Sequence, residues 1–90
     1  MEDYISSRIT NRYYSLTAAE KRVADFVLTD RVRAQYMSIS ELADECRVGE
    51  ASITRFCRTL GLKGYGEFRL ALAKEAGSRA DAGSDTTEDE

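Results

Sequence analysis

The sequence predicts an all-α domain, a small bundle of five to six helices, on three observations. Apolar residues recur at intervals of three and four along most of the chain, which is the spacing of a buried helical stripe. No segment shows the strict alternation of apolar and polar residues that marks a half-buried strand. The chain has 90 residues and no proline, which is enough for one domain and too short for two. A domain of this size buries a modest part of its surface, so we expect marginal stability and a tendency to oligomerise.

The first half of the chain predicts three helices. A four-residue apolar repeat predicts a first helix over residues 3–14, and Thr17 and Glu20 have the spacing of a capping box for a second helix. The second helix is expected to end near Thr29, where Asp30 is suited to cap a short third helix. The residues expected to face the core are Ile5, Ile9, Tyr13, Val23, Phe26, Val27, Val32 and Tyr36.

The second half predicts three more helices. Ser38 and Glu41 form a second capping box, for a helix that ends near residue 46. A complete apolar stripe predicts the next helix over residues 50–60, with Gly61 as its C-terminal stop. A last helix is expected to open after Gly66 and to be ended by Gly77. The residues expected to face the core are Ile39, Leu42, Ala43, Cys46, Val48, Ile53, Phe56, Cys57, Leu60, Phe68, Ala71, Leu72 and Ala76, whereas Lys74 and Glu75 are expected to face solvent.

The formal net charge of −3 averages over regions of opposite sign. Residues 80–90 contain five acidic residues and no basic one, whereas residues 47–74 contain six basic residues and two acidic ones. The acidic segment has small residues and no apolar face, so we expect residues 1–78 to fold and residues 79–90 to form a disordered tail or linker. Because the basic stretch lies inside the folded part, the sequence is compatible with binding of a polyanion.

The fourth and fifth predicted helices have the pattern of a helix-turn-helix, a motif found in homeodomain-like bundles. Ala43 is small enough for two helices to cross closely, and Val48 and Ile53 follow at five and ten positions, where such a motif needs buried residues. The second helix then keeps a polar outer face, which is the face that enters the DNA groove in such motifs. The residues left facing outward are Gly49, Glu50, Ala51, Ser52, Thr54, Arg55 and Arg58.

The composition argues against several other classes of protein. With no histidine and two cysteines outside any CxxC pair, we expect no zinc site, no cofactor and no catalytic triad, and therefore no enzyme. The chain lacks the features of a signal peptide and of a membrane span, so we expect a cytoplasmic protein. One alternative to DNA binding stays open, a helical dimerisation or protein-interaction module that uses the apolar stripe of the first helix.

Two runs of the sequence, LTAAEKRVADFVL and MSISELADECRVGEASITRFCRTLGLKGYGEFRLALAKE, resemble the N-terminal DNA-binding domain of the RpiR family of bacterial transcription regulators. The likeness covers about residues 1–76. It implies a helical domain that forms a homodimer, binds a palindromic operator in double-stranded DNA and regulates sugar or amino-sugar catabolism. It places the first helix of the motif at residues 39–46 and the recognition helix at residues 50–60.

On this interpretation the outward residues divide into two roles. We expect Arg55, Thr54 and Ala51 to contact base edges, Ala51 through a thymine methyl group. Glu50 follows Gly49 at the helix start, and it either accepts a hydrogen bond from a cytosine or stabilises the helix dipole. The residues expected to contact phosphates are Ser38, Ser52, Arg58 and Lys63, and the family likeness places Lys63 and Tyr65 beside the DNA backbone.

The sequence departs from the family pattern in three ways. Arg47 occupies a turn position where the family favours glycine, so we expect a residue held at positive φ. Gly49 replaces the usual serine before the recognition helix, which removes a side-chain cap. Family members normally continue into a sugar-isomerase-type domain that senses a phosphosugar. We therefore expect such an effector to act only through a C-terminal domain outside this chain.

Overall fold

Six α-helices make up the computed structural model, which describes the backbone of residues 4–84 and the side chains of residues 4–75. A short 3₁₀ turn, Tyr13–Ser15, follows the first helix, and no strand occurs in the described part. The all-α prediction is therefore confirmed. The helices are α1 (Ile5–Arg12), α2 (Ala18–Thr29), α3 (Arg31–Gln35), α4 (Ile39–Cys46), α5 (Glu50–Thr59) and α6 (Tyr65–Ser84).

Local capping signals set the starts of α2, α3 and α4. The Thr17 hydroxyl accepts a hydrogen bond from the Glu20 backbone N–H at 3.1 Å, and the Glu20 carboxylate accepts from the Thr17 N–H at 3.1 Å. Ser38 and Glu41 repeat this arrangement at the start of α4. Asp30 caps α3 with its carboxylate. Each cap satisfies backbone donors that a helix start leaves without partners, so all three predicted starts are confirmed.

Helices α2, α4 and α5 pack on one another, and α6 joins this unit to α1 and α3. The hydrophobic core lies between α2, α4 and α5 on one side and α1, α3 and α6 on the other. Phe56 on α5 and Phe68 on α6 are fully buried and meet edge to face, with ring centroids 5.7 Å apart. Other buried apolar residues include Leu16, Val23, Ala24, Val27, Leu42, Ala43, Ile53, Leu60 and Leu72. Among the half-buried residues that pack against them are Tyr13, Phe26, Ile39, Val48 and Ala71.

The apolar stripe of α1 belongs to this core. Ile5 is 2% exposed and Ile9 is 0% exposed, and α1 packs along α6. These side chains are therefore not available to a partner in the folded domain. This removes the surface on which the alternative of a protein-interaction module depended.

The expected burial of Val32 and Tyr36 is wrong. Val32 is 59% exposed and Tyr36 is 74% exposed, whereas Ala34 between them is fully buried. In a helix of five residues the four-residue spacing defines a face but not which face turns inward. Here the Ala34 side turns into the core of a domain in which α3 packs on α6 and α2, and a methyl group allows helices to approach closely.

The expected exposure of Glu75 is also wrong. Glu75 is 1% exposed, and its carboxylate accepts from the Ser6 backbone N–H at 3.1 Å and from the Ser6 hydroxyl at 2.8 Å. The Nε atom of Arg31 lies 3.3 Å from Oε2 of Glu75. A buried carboxylate is tolerated when it is hydrogen-bonded and paired, and these partners connect α6 to α1 and α3.

Helix α6 is longer than predicted. It begins at Tyr65 and continues to Ser84, past the expected end at Gly77. A glycine inside a helix costs only about 1 kcal/mol relative to alanine, which is too little to end a helix whose neighbouring residues favour it. The helix includes residues 79–84 of the expected disordered tail, while residues 85–90 and the Ala76 side chain lie outside the described part.

Candidate nucleic-acid interface

The turn between α4 and α5 has the hydrogen bonds of a Schellman motif. The Val48 N–H donates to the Ala43 carbonyl at 3.0 Å, and the Arg47 N–H donates to the Asp44 carbonyl at 3.2 Å. Arg47 adopts the left-handed conformation that this motif requires, with φ 60° and ψ 48°. The expectation of a non-glycine residue at positive φ is confirmed, and Arg47 is its only example in the described part of the chain.

Val48 follows the left-handed residue and fills the space under the turn. It is half-buried and packs against the hydrophobic core. An apolar contact at this position commonly accompanies the motif. The chain direction into α5 is thus set by hydrogen bonds and by one apolar side chain.

Helix α5 turns one face inward and the other to solvent. Ile53 and Phe56 are fully buried on the inner side. On the outer side the structure exposes Gly49, Glu50, Ala51, Arg55 and Arg58, and leaves Ser52 and Thr54 half-buried. These residues therefore lie together along one side of the helix.

The two arginine residues of α5 differ in their surroundings. Arg55 donates from Nη2 to the Ser52 hydroxyl one helical turn earlier, at 3.4 Å. Arg58 has no side-chain hydrogen bond or ion pair within the described residues. Both guanidinium groups are exposed at a face that carries one acidic residue, Glu50. The arrangement favours binding of a polyanion.

Ser40 is a site residue that the sequence reasoning missed. Its hydroxyl donates to the Glu50 carboxylate at 2.7 Å, which connects the first turns of α4 and α5. Gly49 is the N-cap of α5 and supplies no side-chain cap, as the sequence predicts. The Ser40–Glu50 contact gives the Glu50 carboxylate a partner within the fold. Its outward position on α4 could have identified Ser40 as a candidate from the sequence.

Ser38, Lys63 and Tyr65 lie at the ends of helices around α5. The Ser38 hydroxyl is exposed and accepts from the Glu41 N–H at 3.1 Å. Lys63 is exposed just before α6. Tyr65 is half-buried, and its hydroxyl donates to the Met37 carbonyl at 2.7 Å, while burial raises its pKa to about 12. Tyr65 therefore fastens α6 to the start of α4.

Cys46 and Cys57 are buried free thiols of the core. Burial raises the pKa of Cys46 to about 11 and the pKa of Cys57 to about 12, so both stay protonated near neutral pH. Their interpretation as small core residues is confirmed. Among the residues described, no group of three or more cysteine or acidic side chains is arranged to hold a metal ion, and no helix has the length and apolarity to cross a bilayer.

Comparison with known proteins supports the same picture. Residues 4–79 match the family model described as a helix-turn-helix domain of the rpiR family. An HTH-type transcriptional regulator of Haemophilus influenzae is 41% identical over 75 residues, which cover 83% of this chain and 26% of the relative. The HTH-type transcriptional regulator HexR of Pseudomonas aeruginosa is 37% identical over 73 residues, which cover 81% of this chain and 26% of HexR.

A solved structure shares the fold. The Vibrio vulnificus NanR protein, complexed with ManNAc-6P, superposes with a TM-score of 0.78 at 30% identity over 89% of this chain and 31% of the NanR chain. The chain thus spans about a quarter of the length of the curated relatives that it matches. These relatives are transcriptional regulators, and the match covers nearly all of the described helices. The chain therefore belongs to the RpiR family, of which it contains the helix-turn-helix domain.

Proposed function

We propose that this domain binds operator DNA in a sequence-specific manner, with α5 inserted in the major groove. The observation that carries the proposal is the division of α5 into a buried apolar side and an exposed side with Arg55 and Arg58. A recognition helix needs this division because one face must be held rigidly while the other meets base edges. Membership in a family of helix-turn-helix domains supports this assignment.

The outward residues take the roles that the sequence predicts. Arg55, Thr54 and Ala51 contact base edges, and Arg55 reads a guanine through its guanidinium. The contact between Arg55 and Ser52 supports this role, since it limits the orientations of a long side chain before DNA binds. The phosphate contacts come from Arg58, Lys63, Ser52 and Ser38, and Gly49 and Glu50 complete the interface at the start of α5.

The domain acts as a homodimer on a palindromic operator. Three large apolar side chains support this part of the proposal: Val32 and Tyr36 at α3, 59% and 74% exposed, and Leu70 on α6, 66% exposed. Helices α3 and α6, which carry these residues, pack on each other. Exposed apolar surface of this kind is typical of protein interfaces, and a twofold dimer requires two half-sites related by the same symmetry.

The regulated genes belong to sugar or amino-sugar metabolism. The support is the similarity to HexR and to NanR, a protein whose solved complex contains ManNAc-6P, an amino-sugar phosphate. A phosphosugar effector acts through a C-terminal region outside this chain, since the matched part is only 31% of the NanR chain. The domain works in the cytoplasm, where it meets chromosomal DNA, and contributes no catalytic step of its own.

Selection of bound duplexes from a random DNA pool tests the proposal. We expect an enriched palindrome for the natural domain. In Arg55→Ala we expect a loss of about 1–3 kcal/mol in affinity for that palindrome and relaxed specificity at one position in each half-site. The measurement is titration of the palindrome and of single-position variants with each protein.

Lys74→Ala is the matched control. Lys74 is an exposed cation on α6 without a hydrogen bond or ion pair in the described part of the chain, and its loss is expected to leave specificity unchanged. If a folded natural domain enriches no sequence, the proposal of sequence-specific binding fails. If Arg55→Ala selects the same palindrome with unchanged affinity, the assignment of Arg55 to a base edge fails.

A further inference from the structure

Two exposed arginine residues meet at the turn that precedes α5. Arg47 is the left-handed residue of this turn, and Arg22 on α2 donates from Nη1 to the Arg47 carbonyl oxygen at 3.1 Å. Both side chains are exposed, and neither forms an ion pair within the described residues. The turn thus carries two guanidinium groups without a carboxylate partner in the described part of the chain.

The backbone does not explain why residue 47 is an arginine. Its φ of 60° and ψ of 48° favour glycine, because a β-carbon crowds the following carbonyl oxygen in this conformation. The Arg47 side chain makes no hydrogen bond to the described part of the domain that would compensate for the strain. A long charged side chain held at a strained and exposed position indicates a partner outside the domain.

The turn lies next to the end of α5 that enters the groove in helix-turn-helix domains. Arg47 precedes Gly49, the N-cap of α5, by two residues, so their α-carbons are at most about 7 Å apart. In complexes of this motif the first residues of the recognition helix meet base edges while the preceding helix crosses the DNA backbone. Phosphate groups are therefore the anions within reach of this turn.

We propose that Arg47 and Arg22 bind backbone phosphates beside the groove that α5 occupies. The inference rests on the proposed function, because it adds contacts to the same DNA interface. A guanidinium group has five N–H donors, so Arg22 keeps donors for a phosphate after its bond to the Arg47 carbonyl. Such contacts raise the affinity for every DNA sequence and do not read bases. Arg22 also positions the turn, since it holds the carbonyl oxygen of Arg47.

The test is Arg47→Gly in the full chain, with binding to the selected palindrome and to an unrelated duplex measured over a range of salt concentrations. Glycine adopts the same backbone without strain, so we expect a higher urea midpoint of unfolding. DNA binding is expected to weaken several-fold on both duplexes. The slope of log affinity against log salt is expected to become less steep by about one for each phosphate that the variant no longer binds. A more stable fold that binds more weakly cannot be explained by damage to the domain.

Three further variants separate charge from backbone effects. Arg47→Lys keeps the charge and is expected to keep the steep salt slope. Arg47→Asn removes the charge at a residue type that tolerates the left-handed region, and it is expected to repeat the weaker binding seen with glycine. Arg22→Ala is expected to reduce the slope as well, whereas Lys74→Ala on α6 is expected to leave it unchanged.

The outcomes distinguish this inference from the proposed function. If the natural chain binds the palindrome and the Arg47→Gly and Arg47→Asn variants keep its affinity and salt slope, the phosphate contact is refuted while the proposed function stands. If the natural chain binds no duplex, the proposed function fails, and the phosphate contact fails with it. A lower affinity in Arg47→Gly for the palindrome alone would also refute a phosphate role, because it would indicate base contact.

Discussion

Helices α4 and α5 end in the same backbone geometry with different residues. In the C-terminal turn of α4, residues 43–48, Arg47 is left-handed, and in the C-terminal turn of α5, residues 57–62, Gly61 is left-handed with φ 88°. In the α4 turn the Val48 N–H donates to the Ala43 carbonyl at 3.0 Å. In the α5 turn the Leu62 N–H donates to the Cys57 carbonyl, also at 3.0 Å. Each turn also receives an arginine from an earlier helix.

The two turns differ in the burial of the residue whose carbonyl the arginine holds. Leu60 is 1% exposed, and its carbonyl oxygen accepts from Arg8 Nη1 at 2.9 Å at the junction of α1 and α5. Arg47 is exposed, and its carbonyl accepts from exposed Arg22. In the α5 turn Gly61 adopts the left-handed conformation without steric strain. In the α4 turn an arginine adopts the same backbone conformation at a cost of about 1–2 kcal/mol.

The largest expected effect comes from removing the arginine that supports the α5 turn. Arg8→Ala leaves the carbonyl of buried Leu60 without this donor, and we expect unfolding to become easier by about 1–3 kcal/mol. Arg22→Ala leaves the Arg47 carbonyl open to water, and we expect a change below about 0.5 kcal/mol. Urea unfolding of both variants measures the difference. Equal destabilisation would show that burial does not distinguish the two turns.

The next effect comes from placing a β-carbon at the left-handed glycine of the α5 turn. Gly61→Ala is expected to lose about 1–2 kcal/mol of folding free energy from backbone strain, since the added atom itself meets only an ordinary contact, 3.7 Å from Arg8 Nη1. The matched control is Gly66→Ala. Gly66 lies in α6 with open space around its α-carbon, so alanine is expected to stabilise the helix by up to about 1 kcal/mol. Thermal unfolding of both variants would contradict the interpretation if the midpoints shifted in the same direction.

The smallest effect is a difference in thiol reactivity, since each of the two turns contains one cysteine. Cys46 is 7% exposed with a pKa of about 11, and Cys57 is 0% exposed with a pKa of about 12. Near pH 8 both thiols stay protonated and react slowly, and we expect Cys46 to be alkylated somewhat faster than Cys57. Mass spectrometry of peptides during alkylation resolves the two rates. Faster reaction of Cys57 would indicate that the α5 turn opens more often than the α4 turn.

The same pKa values predict a loss of stability in alkali. Both thiols have pKa values raised above the ordinary value of 9.0, so the folded state holds these protons more tightly than the unfolded state. Their contribution is complete below pH 9 and is lost as the pH rises through about 11 and 12. Denaturation of the natural chain at about pH 8 and about pH 10.5 measures the trend, and equal stability at both values would contradict it.

Much of the fold could be predicted because its signals are local. The capping boxes at Thr17 and Ser38 occupy the predicted positions, and the left-handed residue Arg47 lies where the family likeness placed it. The outward face of α5 followed from the spacing of Ile53 and Phe56. In each case the hydrogen bonds or the helical period involve residues within about four positions of one another, which a sequence pattern describes directly.

The sequence by itself determined an all-α domain, the starts of α2, α3 and α4, and the outward face of α5. Only the tertiary structure decided that Glu75 lies buried against Ser6 and Arg31, and that α3 turns Ala34 rather than Val32 toward the core. These contacts join residues up to 69 positions apart, and no local pattern encodes which distant partner will satisfy a buried charge. The pairing of Arg22 with the Arg47 carbonyl has the same origin, since packing of α2 beside the turn brings together two residues 25 positions apart.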